Sequence, residues 1–379
     1  MSGAEVDLTI EKVVFGGDGL SRTGEGVVLT PGTAPGERVR VRPSAPKGRR
    51  RGFRRAELVE VLAPSRHRVR PRCQYYGQCG GCQYQHLSYR EELRIKTAQV
   101  REAFERIAKL PAAPVEGIVP SPRDFGYRNR VSVHVDGRGR IGYHRADGRG
   151  LVDITHCPIA MPEVNAALAE LRRRHRAAGG RWDPGHVSLR HPQLPPGGFV
   201  QANHFQLANL RRLVLEALQP AEGVKEWSHL IEGYAGAGFL TRELLSLARR
   251  VTGIEQDPRL VAEAGEWIAS LELADAERVE WIGGAVELEL APVLARADPA
   301  STAVLLDPPR GGLAQGLPEL LVRYRPTRLV YVSCDPPALA RDAVRLAAAF
   351  RLTRVVPVDL FPRTAQIECV AGFEALPVS

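Results

Sequence analysis

The chain of 379 residues carries 52 Lys and Arg against 43 Asp and Glu, a formal charge of +9, and 44% of its residues are hydrophobic. That composition is globular, which excludes a disordered or low-complexity chain, and the length suits two or three domains with a core each. Six cysteines are too few for a disulfide scaffold, and three of them fall within ten positions, which fits a metal site in a reducing cytoplasm.

The first residues hold Glu5, Asp7 and Glu11 with no basic region and apolar run behind them, so no signal peptide is expected. No stretch approaches the ~18 apolar residues of a membrane span, so the expected location is cytoplasmic, with no membrane partner. From Val6 to Leu62, short β-type runs (VDLTIEKVVF, EGVVLT, ERVRVRP, AELVEVL) alternate with GGDG and PGTAPG turns. They predict a small antiparallel barrel of four or five strands in residues 1–62. Gly36 to Arg72 holds thirteen Lys and Arg, among them Lys47, Arg49, Arg50 and Arg51, against Glu37, Glu57 and Glu60. This excess is larger than that of the whole chain, so the basic character belongs to one segment. It is either a solvated surface loop or a phosphate-attracting surface; by itself it points to a polyanion without choosing RNA or DNA.

Residues 63–199 read as a small mixed α+β domain. It holds Cys73-x5-Cys79-x2-Cys82, a helix over Ser88 to Lys109 that can pack on the domain that follows, hairpin strands from Arg130 to His144, and a helix over Met161 to Arg176 that Pro162 starts. Three thiolates at this spacing can bind one metal or cluster, and the distant Cys157 closes the site; zinc with four thiolates is the plain alternative. From residue 200 to 379, helices alternate with short apolar strands, the rhythm of an open α/β sheet that binds ligands beyond its strand carboxyl ends.

Four motifs in this last segment carry chemistry. Glu232 to Gly238 (EGYAGAG) lies between an apolar strand and a helix, so Gly236 and Gly238 can form a tight turn against a ligand. Glu255 ends the next strand, where an acid can accept ribose hydroxyls, although glycine spacing does not separate NAD from S-adenosylmethionine. Asp307-Pro308-Pro309-Arg310 ends another strand in a rigid turn, with Arg where amine methylases place an aromatic residue. Cys334 in YVSCDPP ends the following strand; a free thiol is commonly a small core residue, but its place beside Asp307 fits a nucleophile. Glu368 interrupts an apolar strand as either a surface residue or a poised base, and Cys369 alternates with it as core.

Taken together these residues resemble the RNA uracil-5-methyltransferase family, in its iron–sulfur branch that modifies 23S ribosomal RNA. GGDGLSR and PGERVRV look like its TRAM domain, an OB-like RNA-binding barrel; FVQAN (Phe199 to Asn203) resembles the segment opening its catalytic domain; SCDPPALARD and FPRTAQIE resemble its nucleophile and base motifs. The resemblance implies a Rossmann-like S-adenosylmethionine-dependent methyltransferase domain over 200–379. It implies Cys334 as nucleophile, Glu368 as general base, and Gln201, Tyr234, Gly236, Gly238, Glu255 and Asp307 near S-adenosylmethionine. It also implies Cys73, Cys79, Cys82 and Cys157 as ligands of a 4Fe–4S cluster. Ala235, Phe239, Asp335, Arg363 and Gln366 depart from the family pattern; an acid at position 335 disfavours a neighbouring thiolate unless it is paired. The implied reaction is methylation of uracil C5 in RNA, 23S ribosomal RNA before transfer RNA uridine-54, by a monomer and with no DNA partner. The rivals are a non-catalytic RNA-binding or assembly factor and a methyltransferase of a different atom.

Overall fold

The computed structural model describes residues 4–44, 53–179, 185–194, 201–220 and 224–377. Lys47, Arg49, Arg50, Arg51 and Phe199 lie outside the described residues. Three sheets follow one another along the chain. The first holds β1 (Val6–Thr9), β2 (Lys12–Val13), β3 (Asp18–Thr23), β4 (Gly26–Pro31), β5 (Arg38–Pro43) and β6 (Phe53–Ala63), in the order β1-β5-β6-β4-β3-β2. The apolar run from Val6 breaks at Ile10, whose N–H donates to Glu37 O at 2.9 Å. The two ends of the strand order are therefore one stretch of chain, and the sheet closes on itself, which removes its edges. Six strands form where turn counting gives four or five, and pairing is not wholly antiparallel. The start of β6 runs parallel to β4, with Val27 opposite Phe53, and the remainder runs antiparallel to β5. An 11-residue strand is long enough to serve both halves of a barrel, a long-range fact that local alternation does not encode.

Helix α1 (Tyr89–Ala103) follows, its first turn capped by Ser88, which accepts the Glu91 N–H at 3.4 Å. It runs into a π-helical turn, Phe104–Ala108, and stops at Lys109, whose φ of 59° is left-handed. The second sheet, β7 (Arg130–Val135), β8 (Ile141–His144), β9 (Leu151–Asp153) and β10 (Gly185–Arg190), is antiparallel in the order β10-β7-β8-β9. Helix α2 (Pro162–Ala177) lays Val164, Leu168 and Leu171 on its Val131, Val133 and Ile141.

The third sheet alternates with helices: α3 (Leu207–Ala217), β11 (Trp227–Gly233), α4 (Thr241–Leu244), β12 (Ala248–Glu255), α5 (Pro258–Ala269), α6 (Leu273–Ala276), β13 (Val279–Gly283), α7 (Val286–Ala295), β14 (Thr302–Leu306), α8 (Leu317–Tyr324), β15 (Arg328–Ser333), α9 (Pro336–Leu346), β16 (Phe350–Val358) and β17 (Glu368–Ala375). The strand order is β13-β12-β11-β14-β15-β17-β16, parallel through β15, with β17 antiparallel to both neighbours. Every residue of β14 is buried, as expected for a strand covered by helices on both faces. One face packs against α7, α8 and α9, the other against α3 and α4. The order reverses between β11 and β14, which opens a crevice at their carboxyl ends. Among the described residues no helix is long and apolar enough to cross a membrane.

The apolar face of α1, with Val100, Ala103, Phe104 and Ala108, lies in the core of the third sheet. Beyond it, Val115 and Val119 bridge Val355 and Val358 of β16 in parallel. At the same helix, Lys96 meets Glu92 at 2.8 Å and Asp359 at 2.7 Å, all three side chains fully buried. Gln99 Nε2 donates to the carbonyls of Val13 (3.1 Å) and Val14 (2.8 Å) in the first sheet. One helix thus joins the barrel to the α/β sheet.

Candidate active site and cysteine cavity

Cys334 follows the last residue of β15 and lies just before α9. The ladder between β15 and β17 ends on Ser333 opposite Cys369; one step further sets Cys334 across from Glu368. Glu368, which alternation leaves undecided between surface and site, is 5% exposed. Burial, then the charge of Asp307, pushes its carboxyl well above the ordinary range, while Arg310 pulls it back. The Cys334 thiol is pushed up to about 11 by burial, then by Glu368 and Asp307, with Arg310 again opposing. Asp307 follows β14 and is itself raised to about 7 by burial. A thiol, two carboxyls and one guanidinium thus influence one another at the ends of β14, β15 and β17. The Asp335 carboxylate caps α9 instead, accepting the Ala338 N–H at 2.9 Å, so its charge is paired with the helix N-terminus.

The glycine turn stands at the other side of the crevice. Tyr234 (φ 62°), Gly236 (φ 60°) and Gly238 (φ 81°) all take left-handed backbone. A Cβ on Gly238 would lie 3.1 Å from the Trp267 ring, so the ring would have to give by a few tenths of an ångström, and the left-handed φ strains any side chain there. Glu255 stands at the end of β12; its Oε2 accepts the Gly236 N–H at 2.9 Å and its Oε1 the Asp257 N–H at 2.8 Å, which fixes the carboxylate beside the turn. Gln201 is half-buried, and its carbonyl accepts from Asn129 Nδ2 at 2.9 Å, tying this segment to the second sheet.

Two further residues act on this crevice. Arg310 is the cation acting on both Cys334 and Glu368. Glu232, at the end of β11, is buried, receives a hydrogen bond from Thr241, and is pushed up to about 8 by burial and by Asp307 and Glu255. An acid immediately before a glycine turn was the available signal for it.

Cys73, Cys79, Cys82 and Cys157 line one cavity of about 720 Å³ that also reaches Arg310, Phe361 and Gln366. None of the four forms a disulfide. Each of Cys73, Cys79 and Cys82 feels the charge of Cys157, so residues 75 or more positions apart converge on one space. Among the described residues no three His, Cys, Asp or Glu side chains stand close enough to hold one metal ion.

A family model described as tRNA (Uracil-5-)-methyltransferase matches residues 293–374. The chain is 31% identical to the 23S rRNA (uracil(1939)-C(5))-methyltransferase of Acidithiobacillus ferrooxidans, over 96% of each chain. It is 30% identical to an RNA methyltransferase of Synechocystis sp., over 99% of this chain and 96% of that one. Its fold is similar to that of the tRNA (uracil-54, C5)-methyltransferase of Pyrococcus abyssi solved with S-adenosyl-L-homocysteine, with a TM-score of 0.67 and 22% identity over 98% of this chain and 100% of that one.

Proposed function

The chain belongs to the RNA uracil-5-methyltransferase family and is an S-adenosylmethionine-dependent methyltransferase of uracil C5 in RNA; from that premise we propose that it acts on 23S ribosomal RNA, with Cys334 as nucleophile and Glu368 as general base. The observation that carries the assignment is the meeting of Cys334, Glu368, Asp307 and Arg310 at neighbouring strand ends, since this chemistry needs a thiol and a base on one ring. The 23S target follows the Acidithiobacillus relative, whose name specifies that substrate.

Uracil C5 is too weak a nucleophile to take a methyl group unaided. Cys334 adds to C6, a C–S bond forms, and the C5–C6 π pair moves onto C5 and the O4 enolate. Arg310 and the N-terminus of α9 favour the thiolate that does this. S-adenosylmethionine, when bound, would supply an electrophilic methyl group: C5 takes the methyl while its bond to the sulfonium sulfur breaks, leaving S-adenosylhomocysteine. Glu368 then takes the C5 proton, the C5–C6 double bond returns, and the C–S bond breaks to free Cys334. The raised affinity of Glu368 for a proton suits that step. Tyr234, Gly236, Gly238, Glu255, Gln201 and Asp307 would hold the methyl donor, Glu255 through its ribose. The target uridine must leave its stack to reach Cys334, at least cost from single-stranded RNA.

The four thiols around one cavity suit a thiolate-held 4Fe–4S cluster, which is larger than an ion and needs its sulfurs further apart. Cys73, Cys79, Cys82 and Cys157 would hold it, and its contribution is to order residues 73–82. Residues 1–62 would serve as the TRAM-type RNA grip, 63–199 as the cysteine-bearing domain, apart from α1 and the stretch through Val115 that complete the catalytic core, and 200–379 as the catalytic domain. The test is anaerobic incubation with tritium-methyl S-adenosylmethionine and total RNA lacking 5-methyluridine, followed by nucleoside analysis and size separation. Label is expected as 5-methyluridine in 23S RNA; label confined to transfer RNA overturns the substrate, and none with bound methyl donor overturns the activity. With Glu368→Gln, the proton step stalls and an SDS-stable protein–RNA adduct is expected, absent from Cys334→Ala.

A further inference from the structure

The basic segment is less available than its composition suggests. Arg40 pairs with Asp7 and Glu60, Arg42 with Glu5 and Glu57, Arg54 with Glu25, Arg55 with Asp18, and Arg68 with Glu37. Arg70 and Arg72 have no carboxylate partner among the described residues. Both line one pocket of about 280 Å³, together with Tyr89, Phe125 and Arg363. The Arg72 guanidinium lies over the Phe125 ring, 4.5 Å from its centroid, and Arg363 stands 4.9 Å from Phe125 and 5.1 Å from Tyr89. Arg363 is 5% exposed. Its Nη1 donates to Leu87 O at 3.0 Å and its Nη2 to Asp124, yet its Nε has no partner among the described residues. Gln85 lines both this pocket and the cavity that holds Arg310 and Gln366, so the two adjoin.

Cations without acids, a guanidinium over an aromatic ring and an orphaned buried N–H together describe a receptor for an anion attached to a planar ring. Flipping a uridine out of its stack also strips a neighbouring base of a stacking partner, which such a surface replaces. We propose that this pocket binds a second nucleotide of the substrate RNA, close along the strand to the target uridine, with its phosphate at Arg70 and Arg72 and its base on the Arg72–Phe125 stack. The inference rests on RNA being the substrate, but not on which RNA it is.

Filter binding to total RNA lacking 5-methyluridine, across a salt series, and steady-state methyl transfer test the proposal on the full-length protein. The double variant Arg70→Ala/Arg72→Ala should raise the KM for RNA about tenfold, with kcat and methyl-donor affinity retained. It should also lower the slope of log Kd against log salt by about one, the signature of a lost phosphate contact. Arg70→Lys/Arg72→Lys should restore the slope but not the full KM, because an ammonium does not stack like a guanidinium. Phe125→Leu should raise KM and leave the slope alone. A double alanine variant with the slope and KM of the parent overturns the pocket, and an unchanged KM in Phe125→Leu overturns the stacking half. If the parent protein methylates no RNA, the assigned activity fails, while the salt slopes still decide whether this pocket holds a phosphate.

Discussion

As the proposed nucleophile, Cys334 must be a thiolate to attack, yet burial and two neighbouring carboxyls push the thiol up to about 11. Only a small fraction is ionised near neutrality, and that fraction grows tenfold per pH unit. Glu368 must also be ionised to accept a proton, and it too is held above its ordinary range. Both requirements have the same sign, so kcat/KM should climb between pH 7 and pH 9, read from initial rates with tritiated methyl donor. Replacing Arg310 by Gln removes the cation that favours both charged forms and should shift that climb to higher pH, with at least a tenfold loss at pH 7. Glu232 yields a stability prediction. Its folded value of about 8 lies above the ordinary 4.5, so its contribution is complete below pH 4.5 and is lost as pH rises through 8. Glu232→Gln keeps the shape without the charge; its Tm relative to the parent should therefore improve from pH 5 to pH 8 and level off above it in thermal melts.

The elements of the crevice have their ends fixed by local chemistry. Asp335 caps α9 through Ala338, which turns an apparent liability beside the nucleophile into a helix start. The turn between β11 and α4 depends on Gly238, where φ is 81° and an added Cβ meets Trp267 at 3.1 Å. Gly238→Ala should cost about 1–2 kcal/mol of stability from the left-handed backbone alone. On the proposal that the turn faces the methyl donor, calorimetric titration should show weaker S-adenosylmethionine binding in the same variant.

At the scale of the whole molecule, α1 acts as a strut. It donates apolar side chains to the core of the third sheet, reaches the barrel through Gln99, and buries Lys96 between Glu92 and Asp359. The chain from Asp359 continues directly into the loop that leads to Glu368, where Arg363 O accepts from Gln83 and Tyr84 beside the cysteine segment. Lys96→Met leaves two buried acids without their cation and should destabilise the fold by about 3–5 kcal/mol in denaturant titration. If the strut also positions the base, RNA methylation should fall before the protein unfolds.

Much of this protein was legible in its sequence. The succession of helices and strands from residue 227 onward, the left-handed glycine turn, and the strand-end positions of Asp307 and Cys334 follow from apolar runs and turn residues. Such signals act over a few residues, so local reading recovers them. Closure of the barrel and the parallel start of β6 are pairings between distant residues, and periodicity carries no information about them. The same reason explains Glu368, whose alternation admits either face until β15 pairs with β17 in one register. It explains the basic segment too: composition counts its charges, but only the tertiary structure decides which arginines face acids and which, as at Arg70 and Arg72, line a pocket instead.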